Sequence, residues 1–282
     1  MARSHYENFP VASLLLPAAM RPHVAAVYAF ARVADDFADE GRRPVEERYR
    51  LLDGWLARLH GCVHGAPASA GSGADDRDSL IFLALGTSIR ACDLPVSLFE
   101  DLLSAFRQDV ETRRYRTWAD VLDYCRRSAN PVGRLVLRIA GYREEHLDRS
   151  SDALCTALQL ANFWQDFGRD FRAGRLYVPL EDCAAAGARE EDLEAGRLTA
   201  PWRAVMKTMT ERTRALFDEG RAVCDGVRGR LRFELRFTWL GGSRILDRVD
   251  AAGDNGLIDR PALGAVDAPP LVWRALTWKR TP

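Results

Sequence analysis

Nowhere in these 282 residues is there a run of roughly 18 apolar residues, so no segment reads as a bilayer-spanning helix. The polar stretch Met1 to Pro10 has no apolar signal segment. Lysine is almost missing: only Lys207 and Lys279 occur, and arginine supplies the rest of the positive charge. Acidic and basic residues balance at 40 each, so net charge gives no reason to expect a nucleic-acid partner. The six cysteines (Cys62, Cys92, Cys125, Cys155, Cys183, Cys224) form no Cys-x-x-Cys pair and have no histidine at zinc-site spacing. That pattern signals neither a zinc site nor a disulfide framework, and it fits a reducing cytoplasm. The five histidines likewise show no metal-ligand spacing. Alternating strand patterns, repeats at solenoid periods and a Gly-x-Gly-x-x-Gly turn between strand and helix are all missing, so nothing suggests a dinucleotide-binding fold.

What the chain does have is the helical period. Apolar residues recur at three- and four-residue steps through Val11–Leu16, Val24–Ala38, Tyr49–Leu59, Leu80–Ala91, Leu94–Val110, Trp118–Cys125, Val132–Ala140, Ser151–Phe171, Trp202–Val223 and Phe237–Val249. Pro22, Pro95, Gly141, Thr199 and Pro201 fall where helices should start or stop. The expected fold class is all-α, with residues 1–282 as one domain. Gly61 to Asp76 and Gly253 to Pro270 read as connections.

Two of these helices carry acidic groups. In Asp35-Asp36-Phe37-Ala38-Asp39, the first and last aspartates stand one turn apart on one face. Upstream, Val24 to Ala34 is apolar around more than one face, so this helix should be enclosed by others and its carboxylates should line an internal cavity. Two carboxylates about 6 Å apart repel by roughly 3 kcal/mol at an effective dielectric of 20, which calls for a nearby cation. Magnesium suits such a site, because it needs only one or two carboxylates and completes its shell with water and phosphate. The second case is Asn162, Asp166 and Asp170, spaced by four, with Gln159 close to that face and Arg169, Arg172 and Arg175 following to meet phosphate oxygens. A single acidic pair is ordinarily a solvated helix face. Two oxygen-only clusters on apolar helices, each with arginine nearby, favour a diphosphate held by a small group of Mg²⁺ ions.

At these residues the chain resembles the squalene/phytoene synthase family, the head-to-head prenyl synthases, from about Phe9 to about Asp182. Asp35-x-x-x-Asp39 and Asn162-x-x-x-Asp166-x-x-x-Asp170 match its two aspartate-rich motifs. Arg32 matches a diphosphate-binding arginine, and Tyr28 and Tyr124 match active-site tyrosines. Arg175 and Tyr177, in Arg172-Ala173-Gly174-Arg175-Leu176-Tyr177-Val178-Pro179, match a stretch that closes over the diphosphate. Glu7-Asn8-Phe9-Pro10 and Ser128-Ala129-Asn130-Pro131-Val132-Gly133 look like the bacterial hydroxysqualene synthase branch of hopanoid biosynthesis; related synthases usually have Val-Ala-Gly-x-Val-Gly at the second place. Pro131 is expected to kink a helix there. Gly241-Gly242-Ser243 stands where relatives often have a tyrosine of a second diphosphate site, and the basic run after it is reduced to Arg244, Arg248 and Arg260.

The resemblance implies a terpenoid (isoprenoid) synthase fold with a central cavity between helices. Asp35, Asp36, Asp39, Asn162, Asp166 and Asp170 would hold two or three Mg²⁺ ions. Phe9, Arg32, Gln159, Asn162, Arg175 and Tyr177 would bind the substrate, and Tyr28 and Tyr124 would serve the reacting cation. The expected reaction is ionisation of presqualene diphosphate, rearrangement and capture by water, with no NADPH. Two alternatives remain open: condensation of two prenyl diphosphates to presqualene diphosphate or phytoene, and an inactive helical assembly factor of the same fold. The partners implied are an isoprenoid diphosphate and the next enzyme of the pathway. Location is cytoplasmic, with transient contact at the inner membrane face. Trp239, Arg236 and Trp273 are read as packing residues in preference to a membrane contact.

Overall fold

The computed structural model describes residues 16–39, 41, 43–63, 74–258 and 260–279. Phe9, with the whole 7–10 segment, and most of the expected first helix lie outside them, as does the centre of the 61–76 connection. In chain order the helices are α1 (Arg21–Asp39), α2 (Val45–Val63), α3 (Ala74–Cys92), α4 (Val96–Glu111), α5 (Trp118–Ser128), α6 (Asn130–Ile139) and α7 (Glu145–Gln165). There follow α8 (Phe167–Arg172), α9 (Leu180–Ala186), α10 (Glu190–Glu194), α11 (Ala200–Gly220), α12 (Val223–Gly226), α13 (Gly229–Ala251) and α14 (Ala268–Leu276). Short 3-10 turns cover Gly253–Leu257 and Ala265–Asp267. Among the described residues there is no strand, only an isolated parallel bridge between Arg114 and Leu176. The all-α expectation holds.

The helices group into two compact units, residues 1–112 with 131–144, and residues 113–130 with 145–282. In the first unit α1 packs against α2, α3 and α4, as its apolar circumference requires. Phe30, fully buried, meets the rings of Trp55, Phe82 and Phe99 at 5.9, 6.0 and 5.4 Å, and its carbonyl accepts the Trp55 indole N–H. The last carbonyls of α1 have no intrahelical partner, and Arg48 supplies one. Its guanidinium donates to the carbonyls of Phe37, Ala38 and Gly41. This clamp fixes the helix end that carries the first acidic motif.

In the second unit α7 is the central element, packed by α5, α11, α12 and α13. Two glycines set how closely it is approached. A Cβ on Gly220 of α11 would lie 2.6 Å from the backbone nitrogen of Leu154, and one on Gly242 of α13 would lie 2.5 Å from the Leu158 side chain. Gly242 thus sits against the side-chain ends of Leu158 on α7 and Phe217 on α11.

Several elements differ from the sequence expectation, among them α9 and α10, which it did not anticipate, and α13, which starts eight residues earlier. The stretch Ser151–Phe171 does not run as one helix: it breaks at Asp166 (φ −94°, ψ 8°), between α7 and α8. Pro131 does not kink a helix from within; α5 ends at Ser128, and Pro131 is the second residue of α6, where the N–H it lacks needs no partner. The 253–270 connection ends in α14, which the sequence reading left unassigned.

Candidate active site

On α1, Arg32 stands one turn before the acidic motif, so its guanidinium reaches both neighbours, 3.0 Å from Asp35 and 2.5 Å from Asp36. Both carboxylates are about a third exposed, at 33% each. The cation that the paired aspartates require is thus supplied in part by the chain itself. Asp39 is the last residue of α1 and is exposed, while Tyr28 lies half-buried two turns before Asp35. Arg43 donates to the Asp36 carbonyl at 3.3 Å, closing the turn beyond the motif.

The second motif sits at the α7–α8 break. Helical bonds persist through it, from Asp166 N–H to the Asn162 carbonyl (2.9 Å) and from Asp170 N–H to the Asp166 carbonyl (2.8 Å), so Asn162, Asp166 and Asp170 still follow one another by turns. Asn162 donates its amide to Asp166 Oδ2 at 3.2 Å, leaving its own amide oxygen available as a ligand. Gln159 lies half-buried one turn before Asn162. Asp166 is only 13% exposed, and Arg260, from 94 residues further on, reaches it: Nε to Oδ1 is 2.6 Å and Nη2 to Oδ2 is 3.4 Å. Arg169 stands 3.6 Å from the same carboxylate.

Arg260 is delivered by a strap, residues 253–258 and 260–263, laid across the break. Gln165 donates to the Pro261 carbonyl (2.6 Å), Arg172 donates to the Leu257 carbonyl (2.8 Å), and Arg248 holds the Ala262 carbonyl. Gly168 makes room, for a Cβ there would come within 2.1 Å of the Leu257 oxygen. Arg172, expected to face phosphate, is therefore engaged by the strap. Behind the strap is a cavity of about 180 Å³ lined by Trp164, Phe167, Met206, Lys207, Thr210 and Pro261 among others, none of them an anticipated site residue.

The aromatic side of the unit is built from α5, α7 and the 175–179 stretch. Tyr177 stacks on Phe163 at 3.7 Å with planes 4° apart, and Tyr124 packs beside both, 6.3 and 6.1 Å away. Tyr115, which sequence reasoning missed, completes the group at 5.6 Å from Tyr124 and 5.7 Å from Tyr177. The stretch is anchored by the 113–116 segment: Leu176 N–H donates to the Arg113 carbonyl, Arg114 to the Gly174 carbonyl, and Leu180 N–H to the Tyr115 carbonyl. Arg114 itself is clamped by both oxygens of Glu190, at 2.9 and 2.7 Å. Arg175 is thereby held half-buried just before Leu176 and Tyr177. One turn beyond Tyr124, Ser128 Oγ is buried with no hydrogen-bond partner, while the buried Asn130 accepts from Thr156 at 2.9 Å.

The donor sets fit Mg²⁺ in the way it usually binds with phosphate. Each motif offers oxygen ligands only, and among the described residues no three His, Cys, Asp or Glu side chains gather into a ready cage. One or two carboxylates per ion, with diphosphate oxygens completing the shell, is what such partial sites can hold. The sequence did flag Arg260, but only as a residue of a reduced basic run; nothing local linked it to Asp166.

Fold and site together define an all-helical protein with two acidic motifs, each met by arginine, and an aromatic wall. Known proteins narrow that class. The profile of the squalene/phytoene synthase family matches residues 2–270. A hydroxysqualene synthase of Zymomonas mobilis is 39% identical over 74% of this chain and 67% of its own length, and one of Sinorhizobium fredii is 35% identical over 81% and 74%. A phytoene synthase of Thermus thermophilus is 32% identical over 99% and 91%. The crystal structure of squalene synthase HpnC from Alicyclobacillus acidocaldarius superposes with a TM-score of 0.79 at 42% identity, covering 89% of this chain and 90% of that one. A dehydrosqualene synthase in complex with ligand, 21% identical, shares the fold with a TM-score of 0.82 over 97% and 92%. The chain belongs to the squalene/phytoene synthase family. It is an enzyme of the head-to-head prenyl synthase kind, whose members typically use Mg²⁺ with prenyl diphosphate substrates.

Proposed function

We propose that this enzyme converts presqualene diphosphate and water into hydroxysqualene, diphosphate and a proton. The hydroxysqualene synthases, at 35–39% identity, stand above the 32% of the Thermus phytoene synthase. The observation that carries the reading is the Ser128 hydroxyl, buried and unpartnered one turn from Tyr124. A buried hydroxyl without a partner costs about 1–3 kcal/mol, a cost that a bound water removes. Such a water beside a carbocation is the nucleophile that the proposed product requires.

In this reading Asp35, Asp36 and Asp39 on one helix, and Asn162, Asp166 and Asp170 on the other, hold Mg²⁺. The metal supplies positive charge for the departing diphosphate. Arg32 and Arg175 bind diphosphate oxygens and Gln159 orients them. Phe9 and Tyr177 contact the substrate, and Tyr28 and Tyr124 present π faces to the cation. The aromatic wall excludes bulk water, and the proton that the captured water loses passes to the departing diphosphate. Capture by water consumes no reductant, so NADPH takes no part. The substrate and product chains are highly apolar, which supports a cytoplasmic enzyme that hands its product on at a membrane.

The second reading, condensation of two prenyl diphosphates, draws on the likeness to the phytoene synthase over 99% of this chain. Purified protein with Mg²⁺ and no NADPH, given presqualene diphosphate or farnesyl diphosphate, decides between them by mass spectrometry of the products. Hydroxysqualene from presqualene diphosphate alone supports the proposal. Turnover of farnesyl diphosphate to presqualene diphosphate or phytoene moves the enzyme to the condensing branch. No turnover of either, with Asp35→Ala and Asp166→Ala leaving Mg²⁺–diphosphate binding unchanged, would favour the assembly factor.

A further inference from the structure

Helix α14 buries one face and leaves the other bare. Leu271 and Ala275, one turn apart, are 4% and 1% exposed and pack with Leu240, Phe233, Phe237 and Trp278. Pro269, Val272, Trp273 and Leu276 lie on the opposite side, within a stripe about 100° wide. Val272, Trp273 and Leu276 are 38%, 67% and 65% exposed. The 3-10 turn just before the helix adds Val266, at 82%. Single exposed apolar residues are ordinary, but a continuous stripe that includes a tryptophan is not. The packing role expected for Trp273 is therefore not what the structure shows; Trp239 does pack, against Trp278 and Phe217.

Along the segment that carries the stripe the exposed charge has one sign. Between Arg260 and Lys279 the only carboxylate is Asp267, which is 8% exposed and occupied by the Gly264 N–H (2.7 Å) and by Arg248 (2.6 Å). Arg274 and Lys279 are exposed. The surface presents apolar and aromatic side chains flanked by cations, with no exposed carboxylate along residues 260–279.

We propose that α14 seats on an anionic lipid surface. Trp273 lies at headgroup level, Val272 and Leu276 reach the acyl boundary, and Arg274 and Lys279 meet headgroup phosphates. The contact is peripheral, since no helix among the described residues is long and apolar enough to cross a membrane. A second copy of the chain fits less well. The chain has no net charge to complement the cations, and four side chains fall short of the ~800 Å² per partner of a stable protein interface. The proposal stands whichever substrate the enzyme takes.

The test is co-sedimentation of the whole protein with vesicles of phosphatidylcholine alone or mixed with phosphatidylglycerol, at low and high salt. The mixed vesicles should bind roughly tenfold or more tightly, from two cations at the surface, and salt should weaken that binding. The double variant Trp273→Ser, Leu276→Ser should lose about tenfold in partitioning while unfolding at the wild-type temperature. Equal binding to both vesicle types, no binding to either, or a double variant that binds like wild type overturns the proposal. So does a dimer in light scattering that the double variant converts to monomer, which would assign the stripe to a second copy.

Discussion

Replacing Arg260 by glutamine should tighten metal binding in the absence of diphosphate. In the structure a guanidinium rests on Asp166 at 2.6 and 3.4 Å, and both groups are largely sheltered, with side chains 27% and 13% exposed. A hydrogen-bonded charge pair of this kind contributes about 1.5–3 kcal/mol net. A divalent ion that takes Asp166 must first displace it. Removing the competitor should therefore raise the affinity for Mn²⁺ or Mg²⁺ by about ten- to a hundredfold, since 1.4 kcal/mol corresponds to a factor of ten. Asn162 and Arg169 still contact Asp166 in the variant, so the lower end of that range is the safer expectation. Without metal the variant should unfold a few degrees lower, because the strap loses its ionic tie. Titration calorimetry with Mn²⁺ reads the first effect, alongside Asp166→Asn as the variant that removes the ligand. Unchanged or weaker affinity in Arg260→Gln, with Asp166→Asn still abolishing binding, would refute the idea that Arg260 holds the metal's place.

Three further outcomes follow from the same geometry. Gly168→Ala places a methyl 2.1 Å from the Leu257 oxygen and should lift the strap, seen as new proteolytic cleavage between residues 253 and 263; protection equal to wild type would contradict the close approach. Ser128→Val should leave diphosphate release nearly intact but lower the hydroxysqualene share of the products severalfold, whereas an unchanged product ratio would remove Ser128 from water positioning. The Gly264 N–H, and after it the Arg248 guanidinium, hold the Asp267 carboxyl below its usual value. Its contribution is therefore complete above the unfolded value near pH 4 and lost as pH falls through the lower folded one. Acid should loosen the start of α14, followed by tryptophan fluorescence, and Asp267→Asn should flatten that transition; an identical acid profile in the variant would count against it.

The sequence determined whatever depends on near neighbours along the chain. Helical periodicity located α1, α2 and α4 to within a few residues, because a side chain's face is set by its step of 100° per residue. The position of Arg32 three and four residues before Asp35 and Asp36 was legible for the same reason, but it was read there for diphosphate; its pairing with both carboxylates came from the structure. Family membership rested on motifs of this local kind. What the tertiary structure decided involves residues far apart in sequence. Arg260 reaches Asp166 across 94 residues, and Tyr115 joins Tyr124 and Tyr177 through a bridge between two loops. Just past the break at Asp166, Gly168 accommodates a carbonyl brought from Leu257. α14 shows why periodicity alone falls short. Its sequence is apolar on both faces, and only the position of α13 determines that Leu271 and Ala275 are covered while Val272, Trp273 and Leu276 stay in contact with solvent. Local spacing fixes which residues share a face; what that face meets is set by the path of the rest of the chain.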